Sequence, residues 1–298
     1  MMLKMKLLTA IIKNRNSFRM NRELIGYSKS RVLRSFRRAD IIRYAEAIKD
    51  DNPSYRIEDP FLPPFYMSRL AYTSFIEGMT QPGLGMNFLR SVHASQSMTW
   101  TRQIQAHEKC MIRGVIRSIS DTPAGELIEI AGEVLCGDEV ISESKTGFII
   151  RARHSIPKEN SEPVKQPDQV PVFSLDIQTD EGQQMKYAKA SGDSNFIHTS
   201  NLLARRVGLK RTIIQGVCIL SMACTALTEE LLDGDNTRLS GISCRFASPA
   251  YPGERLKLVA CRSDVPGQVP FNVYDPAGNI VLKKGLFTFR VENHPVKG

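Results

Sequence analysis

A twelve-residue stretch of this chain occurs twice. Residues 44–55 (YAEAIKDDNPSY) lie without gaps on residues 187–198 (YAKASGDSNFIH) at an offset of 143, with identity at Tyr44/Tyr187, Ala45/Ala188, Ala47/Ala190, Asp50/Asp193 and Asn52/Asn195. Each copy leads into a run of apolar and small residues at helical density, 65–75 and 217–232. Alternating, β-rich segments follow in both halves: 111–119, 126–136 and 142–151, then 255–261 and 280–291. A chain of 298 residues repeated in this way is expected to fold as two copies of one unit, a helix with antiparallel strands. The run 217–232 is apolar on nearly every side, so its helix is expected to be buried with a sheet wrapped around it.

Pro157, Pro163, Pro167 and Pro171, set among polar residues, mark 153–172 as a linker, because proline interrupts both helices and central strands. The chain then divides into a basic tail (1–23), an N-terminal domain (24–152), the linker (153–172) and a C-terminal domain (173–298). The net charge of +9 sits entirely in residues 1–40, where eleven Lys or Arg face Glu23 and Asp40; the rest is neutral. Charge confined to a tail is not a binding face, which argues against nucleic acid as a partner. The tail reads as upstream residues whose loss, over 1–19, leaves folding intact. Its six basic and no acidic residues up to Arg22 also fit a mitochondrial presequence. The expectation is therefore a cytoplasmic protein, with the mitochondrial matrix as the alternative. No apolar run is long enough to span a membrane.

The six cysteines form no CxxC pair, and the five histidines are scattered, so neither a disulfide framework nor a metal site is expected. Cys218 and Cys224 fall in the apolar run and read as core residues. A reducing compartment is the simplest account.

Chemistry concentrates in the second copy. Ser191 and Gly192 introduce Asp193, Asn195 and His198 within a few residues, and Gly192 permits the tight turn that would face Asp193 and His198 into one cavity. A carboxylate and an imidazole converging on one water can activate it and return its proton. The same residue types also suit a capped turn with a hydrogen-bonded histidine, and the loop alone does not separate the two.

Residues 187–198, with Ala204 and Ile214-Gln215-Gly216-Val217, resemble the signature of the R-specific enoyl-CoA hydratases, the MaoC-like dehydratases. That signature runs Tyr, then Ser-Gly-Asp-x-Asn-Pro-(Leu/Ile)-His, an Ala six residues on, and His-Gly opening a central helix. Residues 245–254 (RFASPAYPGE) look like the strand and turn that follow in the same family, and the likeness covers most of 173–292. Residues 51–56 with Pro63-Pro64 look like the degenerate N-terminal half of duplicated members. Phe196 stands in place of the proline and Gln215 in place of the histidine.

The resemblance implies an α+β double hot-dog, each half an antiparallel sheet around a central helix, paired as an intrachain pseudo-dimer with a homodimer as a further possibility. It implies a hydro-lyase acting on enoyl or hydroxyacyl thioesters of CoA or acyl carrier protein, with no cofactor. Asp193 and His198 would activate water, Ser191, Gly192 and Asn195 would shape the loop, and the Gly216 N–H would meet the thioester oxygen. Arg205, Arg206, Lys210 and Arg211 offer contacts for phosphates or an acidic carrier protein. The alternatives are a non-catalytic acyl-thioester binding protein and a thioesterase. In the first half Tyr55 matches His198, and alignment of Pro64 with Gly216, a shift of 152, puts an imino acid without an N–H where the donor belongs. One site per chain is expected.

Overall fold

The computed structural model describes residues 2–33, 35–152 and 170–291. Five strands belong to the first half: β1 (Ser28–Leu33), β2 (Ser91–Trp100), β3 (Cys110–Thr122), β4 (Gly125–Cys136) and β5 (Glu139–Arg151). Five belong to the second: β6 (Pro171–Gln178), β7 (Leu239–Phe246), β8 (Arg255–Cys261), β9 (Gln268–Tyr274) and β10 (Ile280–Phe289). The α-helices among the described residues are α1 (Met2–Asn14), α2 (Arg38–Ala47), α3 (Tyr66–Met79), α4 (Gln183–Ser191), α5 (Phe196–Thr199), α6 (Asn201–Arg206) and α7 (Gly216–Leu232).

The strands form one antiparallel sheet in the order β1-β3-β4-β5-β2-β7-β10-β9-β8-β6. Read inward from either edge, each half runs first, third, fourth, fifth, second. The repeat seen in the sequence is thus a repeat of topology, and the two units meet at β2 and β7. That seam pairs Ser95 with Arg245 through Thr99 with Gly241. On the β5 side, the register of β2 slips between His93 and Ser95, a bulge just outside the last seam pair.

Each half of the sheet covers its own helix. α7 buries Cys218, Ile219, Leu220, Met222, Ala223, Cys224, Leu227 and Leu232, so an all-round apolar sequence has become an interior helix. α3 packs on β3 and β4, where Gly132 lets it approach closely: a Cβ there would lie 3.1 Å from Ala71 Cβ. The repeated segment forms α2 and α4, which pack together, and the hydroxyls of the matched residues Tyr44 and Tyr187 stand 3.3 Å apart between the halves.

Three expectations are corrected. The linker reading of 153–172 lies outside the described residues except at its end, where Pro171 and Val172 belong to β6; this strand is at the sheet edge, where a proline breaks no central ladder. Cys110 and Cys136 form a disulfide, because the β3–β4 hairpin sets them directly opposite each other. A separation of 26 residues carried no sign of that register. The tail, finally, is part of the fold. α1 packs against α3, Met20 joins the core beside Phe75, Ile76 and Ile128, and Asn87 Nδ2 donates to the carbonyls of Arg15 (2.8 Å) and Ser17 (3.1 Å).

Removing residues 1–19 is therefore expected to lower the melting temperature, since it strips the acceptors from a buried amide. Met20→Ala should destabilise by about 2–5 kcal/mol, the usual range for truncating a buried side chain. Thermal and urea unfolding check both, and an unchanged unfolding midpoint in the truncated chain would return the tail to the status of a dispensable extension.

Candidate active site

α4 ends where Gly192 adopts the left-handed conformation (φ 89°) and turns the chain back over its own last turn. Ser191 Oγ donates to Tyr187 O (2.8 Å) and accepts from the Asp193 N–H (3.1 Å). Asp193 Oδ1 accepts from the Asn195 N–H (3.3 Å), and Asn195 Oδ1 caps α5 through the Ile197 N–H (3.4 Å). Ser191, Gly192 and Asn195 thus shape the loop. Phe196 takes the first helical position, where proline is well suited but not needed once Asn195 supplies the cap.

This turn carries Asp193 and His198 to one place. His198 is buried, and its Nδ1 lies 2.8 Å from the carbonyl of Ile213. A carbonyl only accepts, so Nδ1 holds a hydrogen, and in the neutral ring the lone pair is therefore on Nε2. Nε2 points to Asp193 Oδ2 at 4.0 Å, too long for a direct hydrogen bond but suited to two groups contacting one small molecule.

Part of the site comes from the other half of the chain. Tyr72 on α3 donates its hydroxyl to Asp193 Oδ1 (3.3 Å), and burial together with the nearby carboxylate pushes this phenol up, so it stays a donor. One turn earlier, Arg69 donates to the Ala190 carbonyl at the end of α4. Sequence reasoning missed both residues, because they sit in the run 65–75, which reads as ordinary core. Gln215 is buried at the start of α7, and its Nε2 donates to Asp193 O and Gln184 O, each at 3.1 Å. The residue that departs from the family signature therefore braces the loop.

Gly216 opens α7, and among the described residues its N–H has no acceptor. A Cβ at this position would meet the Phe246 ring at 2.6 Å, so packing alone requires glycine. Of the four basic residues singled out, Arg205 and Arg206 at the end of α6 and Lys210 just after it are exposed. Arg211 is engaged elsewhere: it donates to Pro252 O (2.7 Å), pairs with Glu181 (3.4 Å) and lies over the Tyr251 ring.

The first-half loop keeps the backbone and loses the chemistry. Lys49 matches Gly192 and holds the same left-handed turn (φ 57°) without being glycine. Tyr55 donates to Asp50 Oδ2 (2.7 Å) and accepts from Asn236 Nδ2 (2.8 Å), so that carboxylate oxygen is already taken up. The alignment of Pro64 with Gly216 is corrected: α3 starts at Tyr66, 150 residues before the α7 start rather than 152. Tyr66 has an N–H, but it is already donated to Pro63 O at 2.8 Å. The donor is lost because the turn before the helix uses it. A cavity of about 890 Å³ opens on this side, between Asp50, Asn52, Ile177, Met222 and Glu229, and its lining includes neither Asp193 nor His198.

Comparison with known proteins agrees with this architecture. Residues 162–270 match the family model described as MaoC like domain. Peroxisomal multifunctional enzyme type 2 of Mus musculus is 27% identical over 59% of this chain, which spans only 24% of the mouse protein's length. The peroxisomal enoyl-CoA hydratase 2 of Arabidopsis thaliana is 25% identical over 65% of this chain and 67% of its own. The crystal structure of a MaoC-like dehydratase from Phytophthora capsici superimposes with a TM-score of 0.78 at 23% identity, covering 91% of this chain and 98% of that one. Together with the mirrored sheet order, these place a match to the MaoC like domain in the second half of the chain and give the whole chain the hot-dog fold, in its doubled form.

Proposed function

We propose that the chain is a hydro-lyase that adds water across the C2–C3 double bond of trans-2-enoyl thioesters to give (3R)-hydroxyacyl thioesters, and runs the reverse elimination. The observation that carries this reading is the convergence of Asp193 Oδ2 and His198 Nε2, 4.0 Å apart, on a loop that Gln215 ties to the start of α7, where the Gly216 N–H has no acceptor among the described residues. A water between the two acceptors loses a proton as its oxygen bonds to C3, and that proton is delivered to C2, so the site ends as it began. Charge that develops on the thioester oxygen meets the Gly216 N–H at the positive end of a seventeen-residue helix. The thioester supplies the acidity at C2, so the reaction calls on no cofactor. The name of the Arabidopsis relative, an enoyl-CoA hydratase, supports the reading.

The acyl group is carried by CoA or by an acyl carrier protein, and Arg205, Arg206 and Lys210 stand exposed at and after the end of α6 for their acidic groups. One site per chain follows from the first half, where Tyr55 and the engaged Tyr66 N–H leave neither base nor donor.

Asp193→Asn and His198→Ala should each lower the turnover of crotonyl thioesters by about 10²–10⁴. Near-native rates in both folded variants would remove the proposed base. Tyr55→Phe should leave hydration untouched, whereas two equivalent sites in a calorimetric titration with a substrate analogue would contradict the single-site reading. Gly216→Ala is expected to overpack against Phe246 by about 1–3 kcal/mol and to slow the reaction. Adding Phe246→Leu should recover part of the melting temperature; if it recovers none, the clash is not the cause.

A further inference from the structure

His93 is a histidine that neither the loop motif nor the mechanism uses. It sits on β2 at the bulge that follows the last seam pair, so its side chain is re-aimed relative to a regular strand. The imidazole is stacked on Phe148 (centroids 4.7 Å, 22° between planes) and leans on Phe246 (4.4 Å, 51°). Phe246 is the ring against which Gly216 packs, which places His93 one ring away from the proposed oxyanion donor. Its Nε2 is buried and has no hydrogen-bond partner.

An orphan polar nitrogen among aromatic rings is unfavourable, and a phenylalanine would fill the same space without it. Burial pushes this histidine down to about 4; His198 nearby acts in the same direction, while the Ser95 backbone and Gln96 oppose it. At neutral pH the ring is therefore uncharged and can donate or accept, but not both, at Nε2. The residue as a whole is half-buried, so part of it remains within reach of a ligand.

On the reading of the site as an enoyl-thioester hydratase, we propose that His93 is a substrate-binding residue that the first half lends to the second half's site: its Nε2 hydrogen-bonds the first amide of the pantetheine arm. Two methylenes separate that amide from the thioester sulfur, so a ligand whose carbonyl oxygen meets Gly216 carries the amide only a few ångströms away. An amide offers both an N–H and a C=O, so either tautomer of a neutral imidazole finds a partner. The contact satisfies the orphan nitrogen and reads the carrier arm instead of the acyl chain.

The test compares two thioesters that differ in the amide, crotonyl-N-acetylcysteamine and S-ethyl thiocrotonate, in wild type, His93→Phe and His93→Gln. The ratio of kcat/KM between the two substrates should fall about tenfold in His93→Phe, chiefly through KM, the scale of one lost hydrogen bond. His93→Gln, which keeps a donor and an acceptor, should restore part of it. A ratio that does not move, whether both rates fall together or neither falls, overturns the proposal and leaves His93 as packing. Should His93→Phe fail to fold, the imidazole ¹⁵N resonances of the wild-type protein decide. S-butyryl-N-acetylcysteamine should shift the His93 signal and S-ethyl thiobutyrate should not, and equal responses overturn the contact. A wild-type protein that hydrates neither thioester refutes the hydratase reading itself, a different outcome from an unmoved ratio.

Discussion

The pairing of β2 with β7 is the interaction on which everything else rests. Each half alone would present an edge strand whose N–H and C=O groups need partners, and five residue pairs from Ser95↔Arg245 to Thr99↔Gly241 supply them. The same pairing fixes the distance between helices that belong to different halves. Only because the seam holds does Tyr72 on α3 reach Asp193, and Arg69 the end of α4. His93 and Phe246 meet across it. The site is therefore a property of the joined molecule and not of the half that carries its acid–base residues.

The two loops show how a duplicated unit can keep its shape while its chemistry is dismantled. The left-handed turn survives at Lys49, where a residue with a Cβ is held in a conformation that glycine adopts freely, a strain of about 1–2 kcal/mol that the packed surroundings must offset. Asp50 survives too, but Tyr55 and Asn236 take up its oxygen and the hydroxyl beside it. Burial raises that carboxyl from its ordinary value, with the neighbouring Asp51 and Glu229 adding to the effect. In the second half the same backbone leaves Asp193 and His198 without a direct bond between them, which is what a pair that must share a guest requires.

Gln215 shows how a departure from a family signature can be absorbed. Its amide ties the backbone carbonyl of Asp193 to the start of α7, so the loop that bears the carboxylate is fastened beside the helix that Gly216 opens. Its own Oε1 is left buried without a partner, the price of that arrangement.

Much of this was legible in the chain itself. The repeat at 143 residues, the buried character of 217–232 and the spacing from Ser191 to His198 are local facts, set by periodicity and by residue types that act on their own neighbours. They were enough for two sheet-and-helix units and for the loop that faces Asp193 and His198 together. Contacts between residues far apart in sequence were not legible. The Cys110–Cys136 bond depends on hairpin register, and Tyr72 and Arg69 look like core until a second half is set against them. The start of α3 at Tyr66, and the spending of its N–H on Pro63, follow from how the turn before the helix closes. The packing of Met20 into the core and the bonding of Asn87 to the tail's carbonyls are of the same kind. Sequence pattern reports which face of an element is apolar; which distant group that face meets is set by strand order and register, and those exist only once the sheet has formed.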